Sequence, residues 1–112
     1  MIVEPAGRDE FLALMQETYG SAMSAGEFDW WFDRNPAGPR VLNAARDEDG
    51  TPLGALSMHF ARLDNGLQCF AVHAVTTPAA RGRGVFSTLE LHNEAAAAAQ
   101  GARWALGFTN PM

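Results

Sequence analysis

The first hydrophobic pattern along the chain has the period of a helix. An apolar pair at 2–3 suits a short strand, and apolar residues then recur every three or four positions from 9 to 19. This spacing collects the apolar side chains on one face, and Gly20 is a common helix stop. Residues 24–32, SAGEFDWWF, predict a second, short helix that Ser24 caps and the turn sequence NPAGP follows.

The middle of the chain changes to apolar runs separated by turns. The runs 41–45, 53–60 and 67–75 have the length of strands, and the sequences DEDG and DNG between them are typical of hairpin turns. Pro78 ends the third run because proline cannot donate a hydrogen bond to a strand ladder. A last apolar stretch, ARWALGF at 102–108, predicts one further strand.

The segment ARGRGVFSTLELHNEAAAAAQG, which follows the third run, combines an arginine- and glycine-rich loop with a helix. Its alanines favour a helix, and Gly101 suits the helix end. The first backbone N–H groups of such a helix lack partners, glycines let a ligand approach them, and Arg81 and Arg83 add charged donors. The loop predicts a site for an anion such as pyrophosphate, against the alternative of a solvated turn with two surface arginines.

Two common phosphate-binding motifs do not fit this loop. A Rossmann fingerprint needs a third glycine where Ser87 stands, and the strands before it form hairpins in our interpretation instead of parallel crossovers. A Walker loop needs a lysine, and all eight basic residues here are arginine. The loop therefore has to be interpreted within the predicted order of strand, helix, helix, three strands, helix and strand.

Composition narrows the classes of protein. The chain has 112 residues, which suits one domain (1–112), and it contains no apolar run of membrane-spanning length. Eight basic residues against thirteen acidic ones give a net charge of -5, which disfavours nucleic-acid binding. One cysteine, Cys69, excludes an internal disulfide and a cysteine-rich metal site. With no secretory signal visible, we expect a cytoplasmic protein with no membrane association.

The sequence Arg81-Gly82-Arg83-Gly84-Val85 resembles motif A of the GCN5-related N-acetyltransferase (GNAT) superfamily. In that motif, a Gln/Arg-x-x-Gly-x-Gly/Ala loop follows strand four and opens the third helix; Phe86 stands here where a smaller residue is usual. The two early helices, the Asn-Pro-x-Gly turn and the hairpin through Asp49-Gly50 extend the resemblance over the whole chain. It implies an α/β (α+β) fold with a mixed, mostly antiparallel sheet flanked by helices, in the order β-α-α-β-β-β-α-β.

The resemblance implies that acetyl-CoA is the cosubstrate and that an amine of a small molecule or peptide attacks its acetyl group directly. Backbone N–H groups of 82–86 would bind the CoA pyrophosphate, and strand four would pair with the pantetheine arm. Strands four and five would splay apart to admit the thioester. The implied CoA-binding residues are Val75, Thr76, Thr77, Arg81, Gly82, Arg83, Gly84, Val85, Phe86 and Asn110.

The general base is an open point of this interpretation. His73, in strand four, has a side chain suited to accept the amine proton, but a single histidine on an apolar strand is more often a hydrogen-bonded core residue. Histone-type relatives carry a glutamate where Phe70 stands here. Trp30 and Trp31 are expected either in the core or in the wall of the acceptor pocket. Candidates for which a structural or solvated role is the commoner one are His59, Glu27, Asp29, Cys69 and His92.

The family's fourth helix and last two strands have no counterpart in the sequence after 107–112. In many relatives that region supplies a tyrosine that protonates the leaving thiolate, whereas the sole tyrosine here is Tyr19. A free strand-five edge would be open to a second copy of the chain or to a completing chain. Two functions stay open: an N-acetyltransferase, or a catalytically inactive GNAT-fold domain that binds CoA weakly or dimerises.

Overall fold

The computed structural model describes residues 1–37 and 40–107, with the backbone alone for 104–107. It confirms the predicted order of helices and strands. A π-helical turn, Asp29–Asp33, continues the second helix, and a 3-10 turn, Pro78–Ala80, follows the fourth strand. The elements are β1 (Ile2–Pro5), α1 (Arg8–Tyr19), α2 (Ala25–Phe28), β2 (Val41–Arg46), β3 (Pro52–Leu63), β4 (Gly66–Thr76), α3 (Val85–Ala99) and β5 (Trp104–Gly107).

The strands form one five-stranded sheet in the order β1-β2-β3-β4-β5. Neighbours from β1 to β4 are antiparallel, and the turns that join β2 to β3 and β3 to β4 are the two predicted hairpins. β5 runs parallel to β4, after the crossover through α3. Their described pairing ends where Ala71 meets Gly107, so β4 continues beyond the part of β5 that the structure describes.

α1 ends, and α2 begins, at the residues that the sequence predicts. Gly20 adopts a left-handed backbone with a φ of 75° and donates its N–H to the carbonyl of Gln16 at 2.9 Å, which is a common helix C-terminus. Ser24 accepts a 3.1 Å hydrogen bond at its Oγ from the N–H of Glu27 and so caps α2. These two local signals position the aromatic segment that follows α2.

Helices cover both faces of the sheet. On one face, α1 and α2 bury Phe11, Phe28 and Phe32 against β2, β3 and β4. On the other face, α3 buries Val85 and Leu89 against the alternate residues of the same strands. The core thus consists of two apolar layers with the sheet between them. Within residues 1–37 and 40–107, no helix is both long and apolar enough to cross a membrane.

A buried polar contact fixes α3 on the sheet. Asn93, which is fully buried, donates its Nδ2 to the carbonyl of Leu56 at 2.8 Å and accepts a 2.7 Å hydrogen bond from Nδ2 of Asn43. Both partners belong to neighbouring strands, so a shift of the helix along the sheet would break the two bonds together. The two bonds thereby fix the position of α3 along β2 and β3.

Candidate functional site

β4 contains a bulge in its second half. His73 and Ala74 lie together opposite Leu56, because the register with β3 shifts between Ala55 and Ser57. His73 has a φ of 54°, the one positive φ of a non-glycine residue in the part of the chain that the structure describes. Such a backbone is energetically costly, and it is found where the surroundings enforce it, often beside a functional site.

Side chains from β3 and α1 hold this bulge. Ser57, fully buried, donates its Oγ to the carbonyl of Val72 at 2.6 Å. Tyr19, at the end of α1, donates its hydroxyl to the carbonyl of Ala74 at 2.9 Å. The two carbonyls belong to the residues on either side of His73. The strained residue is therefore tied both to the neighbouring strand and to the helix packed on that face.

α3 begins without a side-chain cap. Its N-cap is Gly84, which has a left-handed φ of 75°. The first helical bond runs from the N–H of Thr88 to the carbonyl of Gly84, and the N–H groups of Val85, Phe86 and Ser87 have no hydrogen-bond partner among the residues that the structure describes. The free amides that the sequence predicted at this helix start are present.

These amides open on a cavity of about 190 Å³ at the end of β4. A side chain built on Gly82 or Gly84 would meet no atom within 4 Å, so the loop is open. Both glycines have positive φ values, 81° and 75°, which is the backbone reason for glycine at these two positions. The cavity is lined by Thr76, Ala80, Arg81, Gly82, Gly84, Val85, Phe86 and Ser87.

The two loop arginines differ in position. Arg81 lines the cavity beside the free amides, whereas Arg83 lines a separate cavity of about 420 Å³ with Met1 and the acidic turn at 47–49. Neither guanidinium forms an ion pair within the described ranges 1–37 and 40–107. Arg81 is thus the cation available to an anion bound at the helix start.

The end of β4 agrees only in part with the expected pantetheine edge. Val75 and Thr76 pair with β3 on one side, and on the other side β4 has no described partner beyond Ala71. Thr77, in contrast, donates its N–H to the carbonyl of Leu53 and accepts the N–H of Ala80, each at 3.0 Å. Both backbone groups of Thr77 are engaged, contrary to the expectation that they are exposed. Asn110 lies outside the described residues, as does the β5 side of the expected wedge beyond residue 107.

His73 lies in an aromatic cluster on the face that α1 and α2 cover. Its ring centroid is 6.0 Å from that of Trp31 and 6.2 Å from that of Phe32, both nearly perpendicular. Burial lowers the pKa of His73, and the charge of His59 lowers it further. At neutral pH the imidazole is therefore uncharged. Within the described part of the chain, the ring of His73 has no hydrogen bond to another residue.

His59, which the sequence offered as a structural or solvated residue, contacts the same cluster. Its ring lies 4.8 Å from that of Trp31, and its Nδ1 lies 3.1 Å from the backbone carbonyl of Trp31. A carbonyl only accepts hydrogen bonds, so this contact needs a proton on Nδ1, and Nδ2 of Asn35 lies 3.5 Å from the same nitrogen. The structure thus brings to one cluster the candidate base His73 and the further candidate His59.

The remaining candidates have ordinary contacts. Trp30 is 65% exposed and packs edge-on against Trp31 with centroids 5.3 Å apart, so it is not a core residue. Asp29 pairs with Arg8 at 3.2 Å. Burial raises the pKa of the Cys69 thiol, which favours its inert form. Among the described residues, no group of three or more histidine, cysteine, aspartate or glutamate side chains could hold a metal ion.

Neither a protein-family model nor a curated protein sequence matches the chain. Solved structures do match over 97–98% of it. A GCN5-related glucosamine N-acetyltransferase region of a fungal multi-domain β-N-acetylglucosaminidase has 22% identity and a TM-score of 0.74, and the chain spans 14% of that protein. An aminoglycoside 6′-N-acetyltransferase of Acinetobacter haemolyticus has 15% identity, a TM-score of 0.72 and 79% coverage.

A GNAT-family acetyltransferase of Staphylococcus aureus is similar at 12% identity, with a TM-score of 0.71, and the chain spans 87% of it. At identities of 12–22%, these are similarities of fold. The TM-scores of 0.71–0.74 show that the arrangement of helices and strands is shared. The chain has the fold of the GCN5-related N-acetyltransferase superfamily.

Proposed function

We propose that the protein transfers an acetyl group from acetyl-CoA to an amine by direct attack of the nitrogen on the thioester. The observation that carries the proposal is the open start of α3, where three free amides and the Arg81 side chain surround a cavity directly after the bulged strand. The fold supports it, because several structures with this fold are acetyltransferases.

The start of α3 would hold the CoA pyrophosphate. The free N–H groups of Val85, Phe86 and Ser87 and the positive end of the helix dipole favour a diphosphate. Gly82 and Gly84 leave the backbone accessible, and the Arg81 guanidinium adds charge-assisted hydrogen bonds. The larger side chain of Phe86 lines the cavity and is 43% exposed.

The chemistry would take place beside the bulge. Val75 and Thr76 would pair with the pantetheine arm, which directs the thioester towards His73. The amine nitrogen adds to the thioester carbonyl, which forms a C–N bond and an oxyanion. The carbonyl then re-forms as the C–S bond breaks, and the thiolate of CoA leaves. A nearby uncharged imidazole can accept the proton that the ammonium of the acceptor must lose. His73 has a lowered pKa, and its ring has no hydrogen bond to another described residue. A β4 backbone N–H would stabilise the oxyanion.

Calorimetric titration with acetyl-CoA and an assay of amine-dependent thiol release test the proposal. We expect saturable binding that free CoA competes with, and release of one thiol for each amide formed. Gly84→Ala and Gly101→Ala form a matched pair, because both put alanine at a positive φ at opposite ends of α3. Both should lower stability, and only Gly84→Ala should weaken acetyl-CoA binding. A folded protein that gives no heat with millimolar acetyl-CoA would contradict the proposal.

A further inference from the structure

We propose that the acceptor is an arylalkylamine, a molecule with one ammonium group and an aromatic ring, which binds on the aromatic surface formed by Trp30 and Trp31. This inference rests on the proposed function and names its acceptor. It selects among the amines that the fold could serve, such as polyamines, aminoglycosides and peptide N-termini. Three observations carry it: the exposure of the rings, their connection to the bulge, and the pairing of the nearby carboxylates.

The first observation is the exposure of two aromatic rings next to the candidate site. Trp30 is 65% exposed and Tyr19 is 53% exposed. Trp30 contacts Trp31 edge-on, at 87° between the ring planes. An exposed indole held by such a contact offers a preformed, rigid platform for an aromatic ligand, because little side-chain freedom is lost when the ligand stacks on it.

The second observation is that this surface leads to the bulge through direct contacts. Trp31 contacts both rings, with its centroid 5.3 Å from that of Trp30 and 6.0 Å from that of His73. Tyr19 reaches the same place by its hydrogen bond to Ala74. A ring stacked on Trp30 can therefore extend a short alkyl chain towards His73. In the proposed mechanism the thioester is attacked beside His73, so this surface would direct the amine nitrogen towards it.

The third observation concerns charge. Of the carboxylates on the segment around Trp30, Asp29 pairs with Arg8 at 3.2 Å and Asp33 pairs with Arg40 at 3.4 Å. Glu27 contacts the Ser24 hydroxyl at the start of α2. A polycation needs several free carboxylates, and those near this surface are engaged.

A single ammonium has a different requirement. It is stabilised by aromatic faces through cation–π attraction, without a free carboxylate. His73 does not repel it, because burial keeps that imidazole uncharged at neutral pH. Glu17, two residues before Tyr19 on α1, points to a different side of that helix from the Tyr19 ring. The aromatic surface therefore suits an amine with one positive charge and an apolar body.

The experiment compares four amines on the full chain: 2-phenylethylamine, 2-cyclohexylethylamine, spermidine and kanamycin A. The cyclohexyl compound is the matched control, since it has the same charge and chain length without the aromatic ring. Binding is measured by tryptophan fluorescence and saturation-transfer NMR without acetyl-CoA, and acetylation by thiol release. We expect phenylethylamine to bind most tightly and to have a kcat/KM at least about tenfold above that of spermidine or kanamycin A.

Three variants locate the effect. Trp30→Leu should weaken phenylethylamine binding about fivefold or more, and Trp30→Phe, which keeps an aromatic face, should lose much less. Arg40→Gln frees the carboxylate of Asp33 and should raise the affinity for spermidine. Trp30 is exposed, so both of its variants should retain the circular dichroism spectrum and the acetyl-CoA affinity of the wild type.

The outcomes separate this inference from the proposed function. Equal or better use of spermidine or kanamycin A, or phenylethylamine affinity unchanged in Trp30→Leu, would overturn the arylalkylamine acceptor and leave the acetyltransferase proposal standing. Phenylethylamine binding that depends on Trp30, without any acetyl-CoA binding, would support the amine site and overturn the proposed function. No phenylethylamine binding in either assay would overturn the acceptor regardless of the acetyl-CoA result.

Discussion

The hydroxyl of Tyr19 donates a 2.9 Å hydrogen bond to the carbonyl of Ala74, which joins the end of α1 to the bulge in β4. Because Tyr19 is 53% exposed, removal of the hydroxyl should lower the free energy of unfolding by only about 0.5–1 kcal/mol. We expect Tyr19→Phe to lower kcat for acetyl transfer, since His73 loses this tie, and to keep KM for the amine, since the ring remains. Urea unfolding and thiol-release kinetics measure the two effects; an unchanged kcat would argue against a positioning role.

Gly54 is the glycine whose replacement should disturb the site most. A Cβ atom there would lie 2.5 Å from the carbonyl oxygen of Val75 and 2.8 Å from Cγ1 of Val85, that is, against the end of β4 and the start of α3. Gly54→Ala should lower the free energy of unfolding by about 1–3 kcal/mol and weaken acetyl-CoA binding, because these two segments must move apart. Thermal unfolding and calorimetry measure both quantities.

Gly26 provides the control for this substitution. In α2, an added Cβ would approach nothing closer than Ser24 Oγ, at 3.9 Å. Gly26→Ala should therefore stabilise the protein by about 0.4–1 kcal/mol, since alanine restricts the unfolded chain and favours a helix. If Gly54→Ala were as stable as Gly26→Ala, the close packing of β4 against α3 would be refuted.

The order of elements could be predicted because each element carries its own signal. Gly20 ends α1, Ser24 caps α2, and the turn at 64–66 closes the hairpin of β3 and β4. Each of these features depends on a few neighbouring residues, so a sequence pattern is enough to find it. The same holds for the loop before α3, whose free amides follow from a helix start that lacks a capping side chain.

The meeting of His59 and His73 could not be predicted in this way. A regular hairpin that pairs Leu63 with Gly66 would place His73 opposite Leu56, with its side chain on the other face of the sheet from His59. The bulge changes the face, so both imidazoles contact Trp31. Nothing local in the sequence marks that bulge, because it depends on contacts with α1 and β3 that are distant along the chain.

Arg81 and Arg83 should contribute unequally to acetyl-CoA binding. Arg81 lines the cavity at the free amides, and Arg83 lines the cavity beside the acidic turn. Arg81→Ala should weaken binding by about 1–3 kcal/mol through loss of charge-assisted contacts to phosphate, and Arg83→Ala by less. Calorimetric titration of both variants at two salt concentrations measures this. Unchanged affinity in Arg81→Ala would remove Arg81 from the site, and equal losses would contradict the assignment of the two cavities.

The pKa of His73 predicts how stability depends on pH. Burial lowers this pKa in the folded protein, whereas the unfolded chain has the ordinary value of about 6.5. As the pH falls below about 6.5, the unfolded chain binds the proton before the folded protein does. The free energy of unfolding therefore decreases as the pH falls further, until the pH reaches the lowered pKa of His73 in the folded protein. Asparagine tolerates the left-handed backbone at this position, so His73→Asn should remove this slope from urea unfolding measured between about pH 8 and pH 5. His92→Asn, an exposed change on α3, should keep the slope; parallel wild-type and His73→Asn profiles would contradict the prediction.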